Sequence, residues 1–380
     1  MPKVFLSVQG LRGIAALLVV VHHYNEIYGS IHKLAGGDVP WLLTYGHLSF
    51  FGAVGVPVFF VISGFVIGQQ RFDLGPRGVY AFMAKRISRI VPLYWVMTLA
   101  YAYITINWTW PRLARSLAFI DQASGSPFPL LGVGWTLEYE MYFYLCFAAF
   151  VVSGITMLKR GGIGLLIAVF ALLVSASLMT DAPALAFIGN TVILDFCAGL
   201  VIASTVKYPL VNRPWPLYLL AGLGVLAISA TSLVPTYTMV RIMWSVGGFF
   251  LVLGLVSAEI NGWTFLKSKP FQVLGAASYA IYLGHRVFQG SFVWPVWYWR
   301  WYEVIEPHVG LLMMIAGAAA FGVAVHYIFE IPANAFARRL LLLGDRGLEK
   351  GKLDNNRFAE RPGRIVADVD GRGAVSATGT

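Results

Sequence analysis

The sequence predicts an all-α protein that crosses a membrane about ten times, with both termini in the cytoplasm. Three observations predict it. Of the 380 residues 58% are hydrophobic and only 12% are charged, against about 25% charged residues in a soluble domain, and mean hydropathy is +0.70. Apolar runs of bilayer-spanning length recur near 8–28, 49–69, 87–107, 131–155, 163–179, 188–206, 216–233, 240–258, 271–290 and 308–330. Lys and Arg concentrate in alternate connections: Arg71, Arg77, Lys85, Arg86 and Arg89, then Lys159 and Arg160, Lys207 and Arg213, Lys267 and Lys269. Lys3 and the stretch with Arg338, Arg339 and Arg346 fall on the same side. That side is cytoplasmic by the positive-inside rule. A net charge of +10 so distributed sets topology and is no sign of a nucleic-acid partner. The domain is expected over residues 1–335, and 336–380 as a polar, disordered cytoplasmic tail.

The first run, QGLRGIAALLVVVHHY from Gln9 to Tyr24, shows no small-residue cleavage site and reads as a retained helix. Arg12 and His23 are eleven residues apart, close to three helical turns. They share one face, about 16 Å apart along the axis. Ionisable groups within a membrane helix face a protein interior or a watery cavity. Snorkelling of Arg12 to the headgroups, with His23 interfacial, is the plainer explanation.

In the second run Gly55, Gly64 and Ser63 permit close helix packing, and Pro57 is expected to kink its outer part. At the cytoplasmic end of the third, Arg86 and Arg89 are three apart on one helical face, at a helix N-terminus that itself favours anions. The fourth begins Trp135-Thr136-Leu137-Glu138-Tyr139-Glu140, two carboxylates at the outer end of an apolar helix, with Trp135, Glu138 and Tyr142 on one face. Spacing alone favours Glu138 as the inward acid and Glu140 as the solvated one. Asp195, in the sixth run, is a weaker candidate for the same cavity. In the ninth, Ser278 and His285 share a face, and His285 is expected at the depth of His23 and Glu138. Glu330, closing the tenth, is expected to pair with an inner arginine. His32, His47, His308 and His326 carry no pattern, and Cys146 and Cys197, both within apolar runs, suit packing rather than a metal or a disulfide.

Basic groups at a cytoplasmic mouth, a path past Arg12, and imidazoles and carboxylates near the outer end suit a ligand with an anionic head and a thin arm. Coenzyme A is one: its phosphates would meet Arg86 and Arg89, and its arm would span on the order of 15–20 Å to reach His23. A histidine there could take the proton of an attacking hydroxyl. A proton-coupled transporter, or a flippase for a glycan intermediate, would satisfy the same distribution.

The chain resembles the acyltransferase-3 family of membrane O-acyltransferases from about Leu11 to Pro332. The resemblance rests on six motifs in order: Arg12 and His23 as Arg-x10-His; Phe59-Phe60-Val61-Ile62-Ser63-Gly64; Arg86, Arg89, Ile90, Pro92, Tyr94 and Trp95; Trp135 through Tyr142; Ser278 through His285; and Glu330-Ile331-Pro332. The resemblance implies an acyl-CoA donor, usually acetyl-CoA, with no metal, and an acceptor hydroxyl on a surface polysaccharide or its lipid-linked precursor, in the bacterial inner membrane. It makes His23 the catalytic histidine, as general base or acyl relay, and pairs Arg12 with it. It moves the conserved carboxylate to Glu140, with Glu138 and His285 as further catalytic candidates. Arg86, Arg89 and Ser63 become candidates for the coenzyme. Two departures stand out: Pro57 replaces a residue often polar in relatives, and Thr136 replaces the usual Ser.

Overall fold

A computed structural model of the chain describes residues 4–34, 48–70, 75–106, 108–152, 160–231, 233–298, 300 and 303–342. The chain divides into two units, 1–338 and 339–380, and of the second only 339–342, which are helical, are described. The expected polar tail therefore lies almost wholly outside the described residues, as does His47, while His32 is placed only in its backbone.

Every regular element among the described residues is helical, and each of the ten apolar runs contains a helix. These are α1 (Leu6–Leu34), α2 (Gly55–Gly68), α3 (Pro76–Thr105), α4 (Trp135–Val152), α5 (Arg160–Ser177), α6 (Val192–Thr205), α7 (Trp215–Ser229), α8 (Tyr237–Ile260), α9 (Ser278–Tyr298) and α10 (Pro307–Val325). Five segments are long and apolar enough to cross a membrane: Leu6–Tyr24, Pro76–Thr105, Pro183–Thr205, Tyr237–Ile260 and His308–Leu342. Three shorter apolar helices accompany them, Gly52–Gly68, Gly162–Ser177 and Trp215–Ser229.

Local chemistry explains the boundaries that shape the site. Gly75 takes φ +115°, a conformation glycine adopts without strain, and Pro76 follows at the first helical position, where its missing N–H costs nothing. The start of α1 has no cap of its own. The carboxylate of Glu259, near the end of α8, accepts from the backbone N–H of Leu6 (3.1 Å) and Ser7 (2.9 Å) and satisfies two of the orphan donors there. Pro57 does not kink α2. It is the third residue of the helix, where no intrahelical donor is required, and the irregularity precedes it as a 3-10 turn at Gly52–Val54.

Helix α1 is the axis of the bundle, packed on α2, α8, α9 and α10. It runs parallel to α9 and the short helix Lys269–Ala276 before it: Gln272 of that short helix donates to the Leu6 carbonyl near one end (2.9 Å), and His23 meets His285 toward the other. Helices α2 and α6 cross at glycines. A methyl group added at Gly64 would collide with the carbonyl oxygen of Phe196, and one at Gly199 with that of Val61. Small residues let two backbones approach where lipid supplies no hydrophobic drive between helices. Around this crossing an aromatic core forms, with the rings of Phe143 and Phe196 stacked at 4.3 Å.

Candidate active site

Arg12 lies where three cavities meet. The first, with about 780 Å³ of empty space counting its open mouth, is bounded by α1, α2, α3, α4 and α9. Its polar lining includes Arg12, Arg86, Arg89, Ser63, Glu140 and Tyr144. The second, about 560 Å³, is lined by Gln9, Arg12, Arg89, His326, Glu330 and Asn334 among others. Arg12 and Arg89 thus face both.

The carboxylate of Glu140 accepts from the hydroxyls of Tyr144 and, at 3.4 Å, Ser63. The spacing that puts Tyr144 one turn from Glu140 was legible in the sequence, but Tyr144 gave no separate reason to look at it. It has a second role. The Arg86 guanidinium carbon is 5.3 Å from the ring centroid of Tyr144 and 5.3 Å from that of Phe82. Such rings attract the cation without satisfying its N–H groups. Arg86 is only 9% exposed, and its Nε has no hydrogen-bond partner among the described residues.

Glu138 faces elsewhere. Its carboxylate accepts from the backbone N–H of Asp121 (3.2 Å) and Gln122 (2.9 Å), in the turn that follows a short helix, Trp110–Leu117. Asp121 in turn accepts from Ser116 and from Arg115 Nε (3.3 Å), so Glu138 belongs to a network that holds this connection on α4. It does not line the arginine cavity, whereas Glu140 does. Asp195 also lies apart from that cavity, facing Ser245 and Arg241 of α8. Glu330 pairs with His326 Nδ1 at 2.7 Å rather than with an arginine, in a π-helical turn spanning His326–Glu330. The π turn is the local feature that sequence reading missed, and it gives His326 a place at the second cavity.

The histidines form a pair. His285, fully buried, faces the Ile281 carbonyl through Nδ1 (3.2 Å) and His23 Nδ1 through Nε2 (3.1 Å). His23 Nδ1 is also 3.1 Å from the Val19 carbonyl. Carbonyl oxygens only accept, so the proton of each neutral ring belongs on Nδ1. His23 Nδ1–H is then shared between Val19 and the lone pair of His285 Nε2. This arrangement leaves His23 Nε2 with its lone pair available, the state a proton acceptor or nucleophile requires.

The sequence comparison settles what kind of protein holds this site. The family model described as an acyltransferase domain matches residues 5–337. The chain belongs to the acyltransferase-3 family. This membrane protein is an O-acyltransferase, and the family model covers every residue of the arginine cavity and both histidines. The exopolysaccharide production protein ExoZ of Rhizobium meliloti (strain 1021) is 34% identical over 257 residues, 63% of this chain and 77% of that protein. Acyltransferase MdmB of Streptomyces mycarofaciens is 26% identical over 368 residues, covering 86% of this chain and 90% of that protein. A Staphylococcus aureus (strain COL) protein, whose name proposes an O-acetyltransferase, is 24% identical over 324 residues, half its length. No solved structure matches the chain.

Proposed function

We propose that the protein transfers an acyl group, acetyl in the first instance, from cytoplasmic acyl-CoA to a hydroxyl of a surface polysaccharide or its lipid-linked precursor in the bacterial inner membrane. The observation that carries the donor assignment is Arg86. A buried cation with an unpartnered N–H, held against two rings at the wall of a cavity shared with Arg12 and Arg89, suits a phosphorylated ligand. The likeness to a protein named for exopolysaccharide production supports a glycan acceptor.

In the proposed reaction the coenzyme phosphates lie among Arg86, Arg89 and Arg12, and the arm runs up the cavity toward His23. The acceptor oxygen bonds to the thioester carbonyl carbon as His23 Nε2 takes the hydroxyl proton. The C–S bond breaks, and the proton passes to the departing sulfur. His285 is the positioning residue: it holds the Nδ1 proton of His23 and so directs Nε2 to the chemistry. An acyl-imidazole relay would start from the same lone pair. Glu140, buttressed by Ser63 and Tyr144, supplies negative charge among the arginines and keeps them compatible at close quarters.

The test is chemical analysis of surface polysaccharide from cells lacking the gene, complemented with wild type or His23→Ala. Ester-linked acyl groups are expected with the wild type alone. Equal acylation by the two would refute the role of His23. Unaltered polysaccharide in the deletion strain would refute the acceptor.

A further inference from the structure

The arginine cavity and the histidine pair are separate compartments. Neither His23 nor His285 lines the cavity. Along α2, α4 and α9, the lining residues nearest the histidine end include Phe59, Thr136 and Tyr282. Tyr282 precedes His285 by one turn of α9, and the two rings are 6.2 Å apart. Phe59 meets Tyr282 edge to face, with centroids 5.7 Å apart and planes at 69°. Phe59 also packs on the cluster that contains Ala16 and Val20 of α1, below the turn that carries His23. The two rings therefore occupy the space between the cavity and the imidazoles.

Tyr282 is anchored from the far side. Its hydroxyl shares a 2.8 Å hydrogen bond with Thr136 Oγ1, and both hydroxyls reach the Val133 carbonyl at 3.1 Å. The ring is thus tied to the start of α4 and to the 3-10 turn Gly132–Gly134 before it. Phe59 has no polar atom and is held by packing alone.

We propose that Phe59 and Tyr282 form a wall between donor cavity and histidine pair, which parts only when the acyl-bearing arm enters. They would then set how the donor divides between transfer and hydrolysis. This inference rests on the acyl-CoA reading above. With the wall in place, water from the arginine cavity is kept from His23 Nε2 by two apolar ring surfaces. With it loosened, water takes the acceptor's part: its oxygen bonds to the thioester carbon, the C–S bond breaks, and acetate and the free thiol result. His23 Nε2 carries the proton from water to sulfur as it would from the acceptor. Tyr282 acts through its hydroxyl anchor and is a positioning residue.

The experiment uses the full chain in lipid nanodiscs with acetyl-CoA alone, following free acetate, and measures coenzyme A binding by equilibrium dialysis. Tyr282→Phe keeps the ring and removes its anchor; Phe59→Ala removes the opposing ring. Each should raise acetate release about tenfold over wild type, corresponding to about 1.4 kcal/mol. Adding His23→Ala to either should return release to background, an effect a merely loosened fold would not give. Coenzyme A binding should persist, because neither change removes an arginine. If Phe59→Ala does not fold, Tyr282→Phe decides. Wild-type acetate release with coenzyme A binding intact would overturn the wall and leave the donor assignment standing. Absence of coenzyme A binding in every protein, wild type included, would overturn both.

Discussion

Replacing His285 with Ala removes the group that receives the Nδ1 proton of His23 at 3.1 Å and leaves the Val19 carbonyl, also at 3.1 Å, as the remaining acceptor. The ring of His23 can then turn about its Cβ–Cγ bond with one restraint instead of two. Removing one partner from a buried hydrogen bond costs about 1–3 kcal/mol. If that cost falls on the transition state, kcat drops about 5- to 150-fold. The donor is held at the arginines, which His285 does not touch, so KM for acyl-CoA should stay within about twofold. His285 is fully buried, and Ala also leaves a void. Gln is the control, because it refills most of the volume and offers an amide oxygen near the former Nε2. The assay is steady-state transfer of labelled acetyl from acetyl-CoA to native acceptor in membranes, with protein quantified by in-gel fluorescence of a fused tag. Low kcat for Ala, partial recovery for Gln and constant KM are expected. Wild-type kcat in the Ala variant would refute the orienting role, as would a Gln variant no better than Ala in well-folded protein.

Two further predictions separate the cavity from its supports. Arg86→Ala removes the cation held against Phe82 and Tyr144 and should weaken coenzyme A binding about 10- to 150-fold, equivalent to about 1.5–3 kcal/mol for a charge-assisted contact. Lys at this position should recover only part of it, since an ammonium lacks the planar fork that can bind phosphate oxygens in pairs; calorimetric titration of the detergent-solubilised protein reads both. Glu138→Gln weakens the acceptor for the Asp121 and Gln122 N–H groups and should lower the midpoint of heat-induced aggregation, while turnover per folded molecule stays near wild type. Lost turnover at unchanged thermal stability would instead place Glu138 in the chemistry.

Hydropathy made the helices legible, because a bilayer forces each crossing segment to satisfy its own backbone and to be apolar over its length. All ten runs hold helices, and five of the described segments are long and apolar enough to cross a membrane. The Arg12 and His23 spacing on one helix, together with the alternation of basic loops, put His285 at the expected depth of His23 and Glu138; the structure brings the two imidazoles into contact. What periodicity could not tell was which way a side chain turns when a helix is buried on several faces. Glu138 and Glu140 are two residues apart, about 200° around a helix, so they face opposite ways. Hydropathy is blind to which of them meets the arginines. The deciding contacts, from Asp121 and Gln122 to Glu138 and from Ser63 to Glu140, span 17, 16 and 77 residues of sequence. Pro57 misled for a related reason. Its effect depends on whether a helix has already begun, and α2 begins only at Gly55. Glu330 was expected to find an arginine because several lay at its depth. His326, one turn earlier on the same π segment, is nearer and takes the bond.

The central claim is that an acyl group passes from acyl-CoA to an external hydroxyl by way of His23. It is tested most directly in inside-out membrane vesicles containing the protein and its native acceptor, supplied with acetyl-CoA labelled in the acetyl group. Label should enter glycan or lipid-linked glycan with the wild type and stay at background with His23→Ala, although both proteins are present at equal amounts. Equal labelling by the two would contradict the claim.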